Sequence, residues 1–192
     1  MNIKRYIATI ILAIVLLLNF SCTDWLDVKP VDRMSEDQLY STEAGFRQAL
    51  NGIYVELNHA DLYGDELLVN TVEILAQRYK FSSMGTLTNQ YHLAEFDYTT
   101  DYAKKCGSRI WEKAYALIAN VNKLLKNADS HKDLFTGDSY DLITGEAYAL
   151  RAFLHFDLLR LFGPVYKTHK EDKSICYNTQ FSLSGSDLLP AS

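Results

Sequence analysis

Apolar residues recur at helical spacing along much of the chain. The first such set is separated by steps of four, three and four positions and comprises Phe46, Leu50, Ile53 and Leu57. Residues at these steps lie on one side of an α-helix, so the pattern predicts a helix over residues 42–57. Ser35 and Gln38 are spaced three apart, as in a capping box, and a helix start is also expected there.

The same spacing continues after Gly64 and Asp65. This second set comprises Leu68, Val72, Leu75 and Tyr79. It predicts a second helix, which is expected to pair with the first as an antiparallel hairpin. Residues 80–103 then break the pattern because they are polar and irregular, and they predict a long loop of the kind that often carries function.

Two longer apolar patterns follow that loop. The first spans residues 102–127, and its main face comprises Ile110, Ala114, Leu117, Val121 and Leu124. The adjoining positions widen this stripe and comprise Trp111, Tyr115, Ile118, Asn122 and Leu125. A stripe this broad indicates a helix that packs on more than one neighbour.

The second pattern spans residues 139–162, after a polar turn at 129–138, and predicts the longest helix of the chain. One apolar face comprises Ile143, Ala147, Leu150, Leu154, Leu158 and Leu161, and another comprises Ala149, Ala152, Phe153 and Phe156. Both faces are expected to take part in helix packing. Gly163 and Pro164 end the helix, since Gly favours the end of a helix and Pro cannot continue it.

These four or five helices, with hardly any strand pattern between them, predict an all-α fold. The expected architecture is a tetratricopeptide-like stack of antiparallel helical hairpins with a long irregular loop. Trp111 with Tyr115, and Ala149 with Phe153, match large and small positions of that repeat. The 34-residue period itself is not reproduced.

The first 21 residues have the proportions of a signal peptide. Lys4 and Arg5 precede a mostly apolar stretch at 6–18, which is shorter than the roughly 20 residues of a membrane-spanning helix. Ser21 before Cys22 resembles a bacterial lipobox, and it predicts a lipoprotein signal peptide over 1–21 with acylation of Cys22. The alternative is a signal peptide without lipidation. Residues 22–34 are then a tether, and residues 35–192 are the helical domain.

The net charge argues against a nucleic-acid partner. The chain has 24 acidic and 19 basic residues, and loss of the signal peptide with Lys4 and Arg5 would change the net charge from −5 to −7. The sequence also lacks a cluster of Lys and Arg that could neutralise several phosphates. Tyr, Phe and Trp together number 24, and part of this surplus is available for a ligand.

Three passages together resemble one family: residues 21–30 (SCTDWLDVKP), residues 111–125 (WEKAY running to NVNKLL) and residues 145–163 (GEAYALRAFLHFDLLRLFG). The third passage is the most specific. The chain resembles the SusD/RagB family of outer-membrane nutrient-binding lipoproteins of Bacteroidetes. Members of that family are much longer than 192 residues, so the resemblance implies an apparently truncated, SusD-like N-terminal domain.

The resemblance also implies a function. Such proteins are lipid-anchored in the cell outer membrane at the cell surface, bind glycans, oligosaccharides or other nutrients, and deliver them to a SusC-like TonB-dependent transporter. Neither catalysis nor a cofactor is expected. A lipoprotein that uses its helical repeats as a protein interaction scaffold is the alternative, and an envelope hydrolase is a third hypothesis.

The loop at 80–103 and the residues just before it carry a mixture of aromatic and polar side chains that is suited to binding sugars. A sugar ring offers an apolar C–H face to an aromatic ring, while its hydroxyls need amides, carboxylates or Arg nearby. The predicted ligand-binding residues are Arg78, Tyr79, Phe81, Asn89, Gln90 and Tyr91. The alternative is that aromatic side chains such as Tyr79, Phe96 and Tyr98 only pin the loop to the helices.

Other clusters are interpreted as structural. Arg151, His155, Asp157 and Arg160 are expected to form a polar stripe that holds neighbouring hairpins together. The group His59, Asp61, Asp65 and Glu66 does not have the spacing of a calcium loop and is interpreted as a solvated turn, so no metal site is predicted. Cys106 and Cys176 lack a CxxC motif, which argues against a zinc site or a catalytic thiol.

Overall fold

The computed structural model of the chain describes residues 34–81, 85, 88–169, 171–182 and 188–190. The predictions for the signal peptide, for Cys22 and, up to residue 33, for the tether lie outside the described residues. The described elements are α1 (Glu36–Leu39), α2 (Glu43–Leu57), α3 (Thr71–Leu75), α4 (Thr88–Ala94), α5 (Asp101–Ser130), a 3₁₀ turn (Lys132–Leu134), α6 (Ser139–Phe162), α7 (Tyr166–His169), β1 (Lys173–Ile175) and β2 (Leu189–Pro190).

Helix α2 confirms the first sequence pattern. Thr42 has extended backbone and caps the helix, because its hydroxyl accepts a hydrogen bond from the Gly45 amide at 3.1 Å. The four residues of the predicted face, Phe46, Leu50, Ile53 and Leu57, are all buried. Helix α1 begins at Glu36, next to the expected start.

Helices α5 and α6 form the antiparallel hairpin at the centre of the fold. Trp111, early in α5, meets the ring of Phe162 at the end of α6 with ring centroids 5.1 Å apart. At the other end, the Tyr140 hydroxyl donates to Asp129 at 2.6 Å. The prediction for residues 139–162 is confirmed, but α5 is the longer helix, with 30 residues against 24 for α6. The sequence pattern predicted each end of α5 to within three residues of its observed position.

The main core lies between α2, α5 and α6. Its fully buried members include Phe46, Ile110, Leu117, Ile118, Val121, Leu124, Ile143, Ala147, Leu154 and Leu158. At roughly 25 cal/mol per Å² of apolar surface, burying one such aliphatic side chain contributes about 1.5–3 kcal/mol. The prediction of an all-α fold is therefore confirmed. Packing between the helices is the source of the stability of this fold.

The predicted second helix after Gly64 is wrong for most of its length. Residues 61–69 form consecutive turns, and the only helix in the described part of this region is α3, five residues long. Leu68 is 59% exposed, whereas Glu66 is fully buried. The buried side of this segment carries Leu62 and Glu66, so the spacing of Leu68 and Val72 does not describe how it packs.

The second apolar face of α6 was expected to take part in helix packing, and this prediction is wrong. Ala149 and Ala152 are exposed, Phe153 is 46% exposed and Phe156 is 56% exposed. Phe153 stacks on Tyr63, with centroids 5.2 Å apart, and Arg160 lies over the ring of Phe156. In the described structure this face of α6 is largely open.

After α6 the chain turns back along the hairpin. The strand β1 pairs antiparallel with β2, and Ile175 of β1 is buried. Residues 176–180, which follow β1, are hydrogen-bonded to side chains of α5 and α6. Of the helices that the structure describes, none has the length and apolar character needed to cross a membrane.

Candidate functional site

Three of the predicted ligand-binding residues precede α4, namely Arg78, Tyr79 and Phe81, and the other three lie on α4, namely Asn89, Gln90 and Tyr91. Tyr79 and Phe81 contact each other edge to face, with ring centroids 5.9 Å apart, and the Tyr79 hydroxyl donates to the carbonyl of Val69 at 3.0 Å. Tyr91 lies on α4 and contacts His92 at 5.7 Å. The structure thus brings Tyr79 and Phe81 together, and it places Tyr91 in a separate ring pair.

The three polar residues of the prediction are Arg78, Asn89 and Gln90. Arg78 and Asn89 are exposed, and Gln90 is half-buried. Within the described residues none of these side chains forms a hydrogen bond or an ion pair. Their polar atoms are therefore not used to hold this part of the fold together.

A small second core holds α4 against the neighbouring helices. Its buried members are Ile74, Leu93, Ala94 and Ala103, with Leu75, Phe81 and Tyr102 packed on them. Gln77, in a left-handed conformation with φ of +59°, donates from its side-chain amide to the carbonyl of Ala94 at 2.5 Å. This bond joins the chain before the loop to the end of α4. The region predicted as one irregular loop therefore contains a helix fastened to the fold.

An open cleft of about 410 Å³ lies beside this second core. It is lined by Thr71, Leu75, Leu93, Tyr98, Ala103, Lys104, Gly107, Ile110, Leu161 and Phe162. Tyr98 belongs to the loop region that the sequence analysis considered for ligand binding. None of the six predicted ligand residues lines this cleft.

The polar residues of α6 bind the segment that follows β1 as well as the neighbouring helix α5. The stripe was expected to hold neighbouring hairpins together, and its contacts with residues 176–180 were not predicted. Arg151 donates from Nη1 to the Asn122 side-chain oxygen at 2.9 Å and to the Thr179 carbonyl at 2.8 Å. Asn122 donates in turn to the carbonyls of Asn178 and Gln180 at 3.0 and 3.2 Å. These bonds reach main-chain carbonyls, so they fix the path of residues 176–180 whatever side chains it carries.

Tyr115 and His155 complete this backbone clamp, which we define as Tyr115, Asn122, Arg151 and His155. The Tyr115 hydroxyl accepts from the Cys176 amide at 2.8 Å and donates to its carbonyl at 2.9 Å. Burial raises the pKa of Tyr115 to about 12. Both Tyr115 and Asn122 belong to the predicted apolar stripe of α5. In the sequence, the feature that indicated this network was Asn122, a polar residue at a core-facing position of a helix.

His155 is held as the neutral ring. Its Nδ1 faces the Arg151 carbonyl at 2.8 Å and must donate, while Nε2 accepts from the Asn178 amide at 3.1 Å. Tyr115 and Tyr177 pack against its ring. Burial lowers the pKa of His155, and the charge of Arg151 adds to this effect. Neither nitrogen is available as a general base.

A loss of stability in mild acid is expected from His155. Because its pKa is lower in the folded chain, the unfolded chain binds the proton first as the pH falls below about 6.5. The free energy of unfolding should therefore decrease between pH 7 and pH 5, by roughly 1 kcal/mol per unit of pKa difference, as measured by urea unfolding.

The variant His155→Gln should flatten this pH dependence. Carboxylates with lowered pKa contribute little to this slope, because the stabilisation from Glu43, with a pKa of about 2, is lost as the pH falls from about 5 toward 2. An equally steep slope in His155→Gln would assign the effect to another group.

The acidic group near residue 60 is an ion-pair cluster, which corrects its interpretation as a solvated turn. Glu66 is fully buried, accepts a hydrogen bond from the Thr71 hydroxyl at 2.5 Å, and pairs with Arg109 of α5. Arg109 Nε also faces Asp61 at 3.6 Å. In the described part of the chain, no group of three or more His, Cys, Asp or Glu side chains is placed to hold a metal ion.

Comparison with known proteins identifies the family of this chain. The family model SusD-like, described as "Starch-binding associating with outer membrane", matches residues 24–184. The chain belongs to the SusD-like family. The match covers α1 to β1, including the hallmark passage at 145–163, which lies on α6 and supplies Arg151, His155 and Asp157. This confirms the resemblance drawn from the three sequence passages.

Two curated SusD-like relatives come from Formosa agariphila. SusD-like protein P2 is 27% identical over 162 residues, covering 84% of this chain and 30% of the relative. SusD-like protein P25 is 27% identical over 148 residues, covering 75% of this chain and 28% of the relative. This SusD-like chain thus spans less than a third of the length of these relatives. No solved structure matches it significantly.

Proposed function

We propose that this SusD-like protein binds nutrients, in particular glycans such as oligosaccharides, and delivers them to a SusC-like TonB-dependent transporter without chemical conversion. The observation that carries the proposal is the family match over residues 24–184, whose description names starch binding and the outer membrane. The structure adds support, since the polar stripe of α6 is engaged in holding the chain itself.

The proposed location is the cell outer membrane, at the surface. Acylation of Cys22 would attach the protein through lipid chains, and each buried methylene group contributes about 0.8 kcal/mol to that attachment. Residues 22–34 would then carry the helical domain above the bilayer. The lipobox-like sequence before Cys22 supports this proposal.

The proposed sugar platform consists of the six residues around α4. Tyr79 is 45% exposed, and together with Phe81 and Tyr91 it offers ring surface for the apolar face of a sugar. Arg78, Asn89 and Gln90 offer hydrogen-bonding groups that the described fold does not use. Aromatic surface next to unengaged polar groups is the combination that sugar hydroxyls and C–H faces require.

Tyr91→Ala is expected to weaken glycan binding by about ten-fold, or ~1.4 kcal/mol, because it removes one stacking surface. Isothermal titration against a panel of oligosaccharides measures this change. Tyr166→Ala is the matched control, since Tyr166 is 62% exposed on α7, outside the platform. An equal loss in both variants, or no saturable binding to any glycan, would count against the platform.

A protein interaction scaffold is the second candidate, and the open face of α6 favours it. An apolar helix face with two exposed Phe side chains is unusual for a surface that meets only water. Including a peptide panel in the same titration separates the candidates: peptide binding with no response to any glycan would favour the scaffold. Release of reducing ends from a polysaccharide would contradict the absence of catalysis.

A further inference from the structure

The cleft beside α4 has the character of a site for a small apolar ligand. Its volume of about 410 Å³ lies within the range of ordinary small-molecule pockets. Buried apolar side chains form its floor, namely Leu93, Ala103 and Ile110, and the ends of α3 and α6 add Leu75, Leu161 and Phe162. A sugar with several hydroxyls does not suit such a lining, because most of its hydrogen bonds would go unmade.

The polar side chains that line the cleft are few, namely Thr71, Tyr98 and Lys104. The Thr71 hydroxyl already donates to Glu66, so it is engaged. Tyr98 is 57% exposed, and Lys104 is exposed on α5. Among the described residues no carboxylate lies within 4 Å of the Lys104 ammonium, although its charge helps to lower the pKa of Asp97. The described lining of the cleft is therefore mostly apolar, and Lys104 is its one cationic residue.

Gly107 leaves space at the floor of the cleft that a larger side chain could occupy. Gly within a long helix costs about 1 kcal/mol relative to Ala. A methyl group at Gly107 would meet only the ring of Phe162, at 3.6 Å, which is an ordinary contact. Steric crowding therefore does not account for the glycine. Its effect is to leave space in the cleft, which a larger side chain at this position would fill.

We propose that this cleft binds a small apolar molecule that carries one carboxylate, with the apolar part against Leu93, Ile110 and Phe162 and the carboxylate at Lys104. This inference does not rest on the proposed glycan function, because none of the platform residues lines the cleft. It adds a second ligand class to the domain.

The test uses 4-phenylbutyrate and its neutral analogue 4-phenylbutanol with the full purified chain. We expect saturable binding of 4-phenylbutyrate, weakened about ten-fold by Lys104→Gln and unchanged by Lys105→Gln. Lys105 is the matched control because it is the exposed neighbour of Lys104 and does not line the cleft. Binding of 4-phenylbutanol should be insensitive to both substitutions. Equal effects of the two Lys substitutions would overturn the role of the cation.

Gly107→Leu tests the floor of the cleft. It should abolish binding of both probes while the melting temperature is maintained or rises, because the substitution fills space and favours the helix. Methyl NMR of the unsubstituted chain gives an independent measurement: the signals of Leu75, Leu93 and Ile110 should shift with 4-phenylbutyrate, and that of Leu50 in the main core should not. No saturable shift at the cleft methyl groups would overturn the proposal.

Discussion

Replacing Arg109 with alanine is expected to lower the free energy of unfolding by about 3–5 kcal/mol. The reason is that Glu66 is fully buried and Arg109 is the cation that compensates its charge. Without Arg109, a carboxylate would remain in the interior with only the Thr71 hydroxyl as a hydrogen-bond donor among the described contacts. Thermal unfolding followed by circular dichroism should show a fall in Tm of roughly 10 °C.

Two further variants identify the cause of that loss. The double variant E66M/R109M should recover much of the stability, since a buried ion pair can often be replaced by apolar side chains of similar size. Lys113→Ala is the control, because Lys113 pairs with the exposed Glu56 and surface pairs contribute little. A Tm for Arg109→Ala equal to that of Lys113→Ala would show that the Glu66 pair does not stabilise the turns at 61–69.

Replacing Arg151 with alanine should give the second largest loss, about 2–3 kcal/mol. Arg151 joins Asn122 of α5 to the Thr179 carbonyl, and its removal leaves the buried oxygen of Asn122 without its charged donor. The clamp on residues 176–180 is weakened at the same time. The expected decrease in Tm, measured by thermal unfolding, is roughly 5–10 °C.

Arg151→Lys and Arg47→Ala are the controls for that experiment. Lys keeps the charge but lacks the planar group that reaches both acceptors, so it should restore only part of the stability. Arg47 pairs with Glu43 at 3.1 Å on the surface, and its removal should leave the Tm nearly unchanged. An unchanged Tm for Arg151→Ala together with lost glycan binding would place Arg151 in the ligand site.

The helices that follow their apolar periodicity were predictable from sequence. The patterns behind α2, α5 and α6 each repeat over four turns or more, so the burial of one face outweighs any local alternative. The family was also predictable, since its hallmark passage lies within one of these regular helices. The six platform residues stay a prediction, because their role depends on a ligand.

Two of the failures occur where a polar group is buried. The spacing of Leu68 and Val72 resembles a helix face, yet Glu66 lies in the interior because Arg109, 43 positions later, meets it there. In the sequence, Asn122 is a single polar residue within an apolar stripe. In the structure, its side chain donates to the carbonyls of Asn178 and Gln180. Such pairings join residues far apart in the chain, and a local pattern does not contain the partner.

By itself, the sequence determined the all-α class, the positions of the long helices and the SusD-like family. Only the tertiary structure decided that Glu66 is buried within the turns at 61–69, that the α6 polar residues clamp residues 176–180, and that a cleft opens beside Gly107. The physical reason is that apolar burial depends on local periodicity, which is repeated and redundant. Ion pairs, side-chain bonds to main-chain carbonyls and cavities depend on a few specific contacts between distant residues.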